Sequence, residues 1–322
     1  MRQFHHWSNG FRVAAILFGF CIPVGSTSAD ESAVDRCKRC EHEVASITDI
    51  PGRPGWHCAR SRNFRVVCHT RSGDARKIAE HCEKLRVALS RFWFPDGNRT
   101  NWTPVCDVIV HQNAASYLQA VGRGASNTLG SSDVRAEHDS IVARRIDLRA
   151  DHASLLTAAL PHEMTHVVVA DWTKGNPLPL WADEGMAMVA DSDEKQAMHA
   201  RDLANALASR TEFNAAELFN LDRYPAHDRW SAYYAQSHAL VAYLVKKDSP
   251  ERFVKFVAAV QETGYDAALR EHYSIDGANS LSHLWHSMSE RKHMSVVMNL
   301  LKARDPMPTT RISGLLSLSS DH

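Results

Sequence analysis

The sequence predicts an α+β fold, because strand-like runs are confined to its first half and helical periodicity fills the second. Three short β-patterned runs and one long amphipathic helix lie between residues 63 and 150, whereas apolar residues recur at helical spacing from Ala153 almost to the end. A doubly wound sheet would need strands and helices alternating throughout. The 322 residues, 44% hydrophobic and 23% charged, allow a large core in one main domain with an extension. Lysine plus arginine equals aspartate plus glutamate at 37 each, so no net field favours nucleic acid or an anionic membrane, and partners must be argued from a site.

The chain opens with Arg2 and Arg12, an apolar run from Val13 to Val24, and the small residues Gly25 to Ala29. That order predicts a secretory signal over 1–29, cleaved after Ala29, and a run shorter than the roughly 20 apolar residues needed to span a bilayer. Cys21 follows LFGF, a poor match to a small-residue lipobox. No later segment is long and apolar enough to act as an anchor, so the expectation is a soluble protein that is secreted or periplasmic. Six cysteines remain after the signal: Cys37, Cys40, Cys58, Cys68, Cys82 and Cys106. An even, clustered set in an oxidising compartment reads as disulfides, with 15 possible pairings; a zinc ribbon starting at Cys37 and Cys40 lacks its second CxxC.

Residues 30–63 read as a polar, cysteine-rich extension broken by DIPGRPGWH, with little core of its own. The predicted elements that follow are a strand over Asn63 to His69, a helix over Asp74 to Phe94, a strand over Thr103 to His111 and a short helix over Ala114 to Val121. Gly122 to Ser132 reads as a glycine-rich loop rather than a nucleotide site, and Ser140 to Ala150 as a third strand. Helices are predicted over Ala153 to Asp171, Leu180 to Val189, Trp230 to Lys246, Ser249 to Val260 and Ser280 to Leu301, ahead of a poorly ordered tail over 302–322.

Within the first of those helices, PHEMTH places His162 and His166 one turn apart on one face, where both imidazoles can reach one ion. Glu163 lies about 100° round the helix, badly placed as a ligand beside His162 but able to reach a water at the metal. A catalytic zinc needs three protein ligands and an open position. Trp172 and Val169 stand where a metzincin would have histidine and glycine, which excludes that class. The third donor is expected in PLPLWADEGMAM: Glu184 follows His166 by 18 positions, and Gly185 lets its helix approach the first one closely. Trp181 and Met188, at i−3 and i+4, give Glu184 an apolar wall. The competing reading of Asp183 and Glu184, a solvated acidic helix start, leaves their spacing from the histidines unaccounted for.

HEMTH followed by WADEG resembles the gluzincin metallopeptidases, specifically the peptidase MA-like branch, over about residues 63 to 301. The resemblance implies a zincin-like catalytic domain over 64–301, Zn2+ held by His162, His166 and Glu184, and Glu163 as general base. The activity implied is hydrolysis of a peptide or protein substrate by a water that Glu163 activates at the zinc. It also points to a downstream tyrosine or histidine steadying the oxyanion, for which Tyr234 is the first choice and Tyr233 and His238 stand behind it. Pro161 is a departure that must either kink the segment or begin the active-site helix. Ser140 to Leu148 is the candidate edge strand for pairing with an extended peptide, with Arg144 and Arg145 exposed on it. No GAMEN-like motif is present to hold a free amine, which favours an endopeptidase. The alternative from another class is a non-catalytic module of the same fold that binds peptides or a partner. The extension's position ahead of the domain raises the further hypothesis that it covers the cleft.

Overall fold

The computed structural model describes residues 46–70, 73–97, 100–125 and 128–290. The expected signal, Cys37, Cys40 and the tail lie outside these residues. The chain divides into two compact units. Of the described residues, one unit comprises those within 46–84, 101–135 and 142–153; the other comprises those within 85–100, 136–141 and 154–290.

The first unit is built on a mixed six-stranded sheet. Its strands are β1 (Ser46–Asp49), β2 (Trp56–Arg60), β3 (Phe64–His69), β4 (Cys106–His111), β5 (Gly130–Glu137) and β6 (Ser140–Arg149), in the spatial order β1-β2-β3-β4-β6-β5. β3 and β4, and then β4 and β6, pair in parallel. Parallel neighbours need long crossovers, which α1 (Ala75–Trp93) and α2 (Ala114–Val121) supply. α2 starts on a reciprocal capping box between Asn113 and Ser116. β5 returns to β6 through His138 and Asp139, whose φ angles of 48° and 61° give the double left-handed step that suits a two-residue hairpin.

Three sequence expectations change here. Residues 46–60, read as part of a cysteine-rich extension with little core of its own, form a hairpin whose second strand pairs antiparallel with β3, so the sheet continues across residue 63. Gly130–Ser132, read as loop, begins β5. Both segments are polar because they lie at the two edges of the sheet, where a side chain need not be buried to belong to a strand. For the same reason β6 is not the edge strand: it lies between β4 and β5. Of its two arginines, Arg145 is exposed as expected and Arg144 is not. Arg144 is 5% exposed, with its guanidinium 5.0 Å over the Trp102 ring and donating to the Pro104 carbonyl at 2.7 Å. Arg145 donates through two nitrogens to the Asp147 carboxylate.

One face of the sheet is apolar, with Phe64, Val66, Val108, Val110, Ile146 and Leu148 all fully buried. Burying side chains of this size contributes about 1.5–3 kcal/mol each. Glu83 of α1 is fastened to this sheet by Asn63, whose backbone and side-chain amides both donate to its carboxylate. The alternate residues put charge on the opposite face, where Arg65 pairs with Asp107 and His111 with Asp147. Burial opposes the Asp147 charge, but hydrogen bonds from His111 and Arg145 hold its carboxyl below the usual range.

The expected disulfides are not formed among the described cysteines, since Cys58, Cys68, Cys82 and Cys106 are all free thiols. Strand geometry explains much of this. Cys58 lies opposite Val67, so it points to the other face from Cys68. Cys106 lies opposite Phe64, four residues down the strand from Cys68, a separation of about 13 Å against the 4.4–6.8 Å that a disulfide tolerates. Burial pushes the Cys68 thiol up to about 11 and raises those of Cys82 and Cys106 well above the ordinary thiol value, so all three behave as small apolar groups.

The second unit is helical: α3 (Leu160–Trp172), α4 (Leu180–Val189), α5 (Asp193–Ser209), α6 (Ala215–Phe219), α7 (Trp230–Lys247), α8 (Pro250–Thr263), α9 (Tyr265–Tyr273) and α10 (Gly277–Glu290). The sequence located α4, α7 and α8 within three residues at each end but passed over α5, α6 and α9. Those three are defined by caps more than by an apolar stripe: Ser192 and Asn214 cap α5 and α6, and Gly264, at φ 81°, separates α9 from α8. Trp181 anchors the core of this unit against Phe219, Phe253 and Tyr265. Its indole N–H donates to the Tyr265 hydroxyl at 3.0 Å, so a large buried ring carries no unmet donor. Among the described residues, no helix is long and apolar enough to cross a membrane.

Candidate metal centre

Pro161 decides where the site begins. A short π turn over Leu155–Ala159 ends with the Leu160 N–H bonded to the Leu155 carbonyl, and α3 starts there with the proline in its first turn. A missing N–H is tolerated in a first turn, so Pro161 begins the helix rather than kinking it. Thr165 then donates its hydroxyl to the Pro161 carbonyl at 2.9 Å, leaving His162 and His166 one turn apart on the same face.

The helix that follows supplies the third side chain. His162, His166 and Glu184 each offer a ligand atom, and the three atoms lie within 4.8 Å of one another. His162 Nε2 is 3.7 Å from Glu184 Oε2, and the two imidazole rings stand 5.1 Å apart at 77°. Two imidazoles and a carboxylate converging on one point match the donor set of a catalytic zinc, which takes three protein ligands. Glu163 is 8% exposed and Glu184 7%, so two carboxylates are kept largely from water beside two histidines.

Each imidazole is also held from behind. His166 Nδ1 is hydrogen-bonded to Asp183 Oδ2 at 3.0 Å, whereas His162 Nδ1 lies 3.3 Å from Asp191 Oδ1 as a charge contact without the alignment of a hydrogen bond. A carboxylate on Nδ1 fixes the tautomer that presents the Nε2 lone pair to a metal. Burial works against charge on His166, but Asp183 outweighs it and pushes the imidazole up to about 10; His162 is raised against the same opposition by Asp191. Glu184 has its own support, for the Tyr224 hydroxyl donates to Oε1 at 2.5 Å.

Asp183, Asp191 and Tyr224 were missed at the sequence level. Asp183 carries a weak signal, since a carboxylate next to Glu184 also reads as a solvated helix start. Asp191 lies beyond the end of α4, and Tyr224 lies 40 residues from its partner in an irregular stretch, so neither has a spacing that marks it. The closeness expected from Gly185 also lies elsewhere. A Cβ there would meet Val241 and Ser237, so the glycine fits α4 against α7, not against α3.

Among the oxyanion candidates, Tyr234 feels the charges of both Glu184 and Glu163, although burial is the larger reason its hydroxyl resists ionisation. Tyr233 is fully buried, and its ring packs against those of Tyr224 and Tyr234. His238 stands deeper: its ring lies 5.4 Å from that of His199, and burial pushes it down to about 4, keeping it neutral.

The family model described as Peptidase MA superfamily matches residues 137–290, a span that includes α3, α4, α7 and every residue of this cluster. A search of curated proteins finds no match to the chain. Residues 137–290 are therefore similar to the peptidase MA superfamily, a likeness consistent with a gluzincin-like peptidase fold.

Proposed function

We propose that the protein is an exported, zinc-dependent metallopeptidase that cuts within peptide or protein chains. The observation that carries this reading is the convergence of His162, His166 and Glu184 beside the buried carboxylate of Glu163. Export rests on the charged, apolar and small-residue order of residues 1–29.

When bound, zinc would polarise the scissile carbonyl and bring the pKa of a water from 15.7 to about 7. His162, His166 and Glu184 would hold it. Glu163 accepts the proton of the attacking water as the new C–O bond forms, then passes that proton to the amine as the C–N bond breaks. Tyr234 keeps its proton at all ordinary pH values and serves as the hydrogen-bond donor to the carbonyl oxygen as negative charge gathers there.

The test is digestion of a diverse peptide library by zinc-loaded, signal-free protein, read by mass spectrometry before and after chelation and again after zinc is restored. Internal cuts that vanish and return with zinc are expected. Cuts indifferent to chelation would remove the metal from the reaction, and peptides retained without cutting would favour the binding module instead. A related prediction concerns the support of Glu184. Tyr224→Phe deletes only the hydroxyl and should weaken zinc binding by about 10–100-fold, measured by competition with a chromophoric chelator.

A further inference from the structure

Asp191 sits just past the end of α4, and its side chain is only 1% exposed. A buried carboxylate without partners is costly, so its contacts account for its presence. Only one of them is a metal-site histidine: Oδ1 faces His162 Nδ1 at 3.3 Å. Among the described residues, the other side chains that meet Asp191 come from α5. Lys195 Nζ lies 3.4 Å from Oδ1, His199 Nε2 lies 3.4 Å from Oδ2, and Gln196 Nε2 donates to the Asp191 carbonyl at 3.0 Å. Residues 195, 196 and 199 share one face of that helix. Asp183 differs: it sits on α4 beside Glu184 itself, and its side chain is 29% exposed.

His199 is buried, and among the described residues its Nδ1 has no hydrogen-bond partner. A neutral ring with its proton on Nε2 donates to Asp191 and leaves only a lone pair at Nδ1, the cheaper atom to leave unmet. The His238 ring packs against it. Side chains from α5 and α7 thus stand in line behind a metal-site histidine of α3.

We propose that His199 and Lys195 are positioning residues for the metal centre: they fix the Asp191 carboxylate, which in turn orients His162 with Nε2 toward the ion. The inference rests on the metal-site reading above and adds α5 to the machinery that sets metal affinity.

The experiment is zinc affinity by competition with a chromophoric chelator on the full signal-free chain, with the far-UV spectrum and thermal melt of each zinc-free variant alongside. Asp191→Asn should bind zinc about 10–100-fold more weakly, and His199→Phe about 10-fold more weakly. His199→Gln keeps a donor for Asp191 and should stay near wild type, a rescue that loss of packing alone would not give. Unchanged affinity in His199→Phe, or equal losses in His199→Phe and His199→Gln, overturns the proposal. If His199→Phe does not fold, Lys195→Met takes its place on a side chain that is one-third exposed: weaker binding supports the proposal and unchanged binding overturns it. Wild-type protein that binds no zinc overturns this inference and the metallopeptidase reading together. Wild-type protein that binds zinc without cutting peptides overturns only the peptidase reading.

Discussion

Glu163→Gln is expected to lower kcat by about 10²–10⁴ while zinc stays bound and the fold is unchanged. The amide matches the carboxylate in size and reach, so the buried position should accept it, and the three converging side chains are untouched. What is lost is basicity: glutamine cannot take a proton from water or return one to the amine. General acid–base catalysis by one placed group contributes about 10²–10⁴-fold, equivalent to roughly 3–5 kcal/mol of barrier at 1.36 kcal/mol per tenfold. The change should fall on kcat with little on KM, because proton transfer belongs to the transition state and not to substrate binding. Measurement needs kcat, KM and bound zinc on the same preparation. Unchanged turnover would remove Glu163 from the reaction, and lost turnover together with lost zinc would make it a structural residue.

The candidate His/Glu cluster was legible because two short periodicities carry it. His162 and His166 need only one helical turn, and Glu184 needs only a second helix starting where Pro177 and Pro179 end a loop. The groups that contact these side chains from behind were not legible, since Asp191 and Tyr224 meet their partners only through tertiary packing. The sheet divides in the same way. β3, β4 and β6 carry the alternation that one buried face imposes, whereas β1, β2 and β5 gather at its two margins, where polar residues are tolerated and the alternation fades. Cysteine number misled for a related reason. An even count says nothing about faces, and one residue of register places Cys58 and Cys68 on opposite sides of the sheet.

Gly185→Ala should destabilise the zinc-free protein, although alanine is the better helix former. In an unconstrained helix interior the change would gain about 1 kcal/mol. Here the added Cβ would lie 2.3 Å from Val241 Cγ2 and 2.6 Å from the Ser237 carbonyl oxygen. Valine can rotate away, but a carbonyl inside α7 cannot move without its helix, so α4 must retreat. Overpacking of this kind costs about 1–3 kcal/mol, and a backbone obstacle puts it at the upper end. The net loss is then roughly 2 kcal/mol, which lowers Tm by about 4–8 °C in a unit of this size. Because Glu184 precedes this glycine, the same retreat pulls the third ligand away from His162 and His166, and zinc affinity should fall with stability. Calorimetry of the zinc-free variant and chelator competition on the folded fraction read the two effects separately. An unchanged or higher Tm would mean that α4 does not lie this close to α7. A lower Tm with normal zinc affinity would mean that Tyr224 and Asp183 hold the ligand in place without help from that packing.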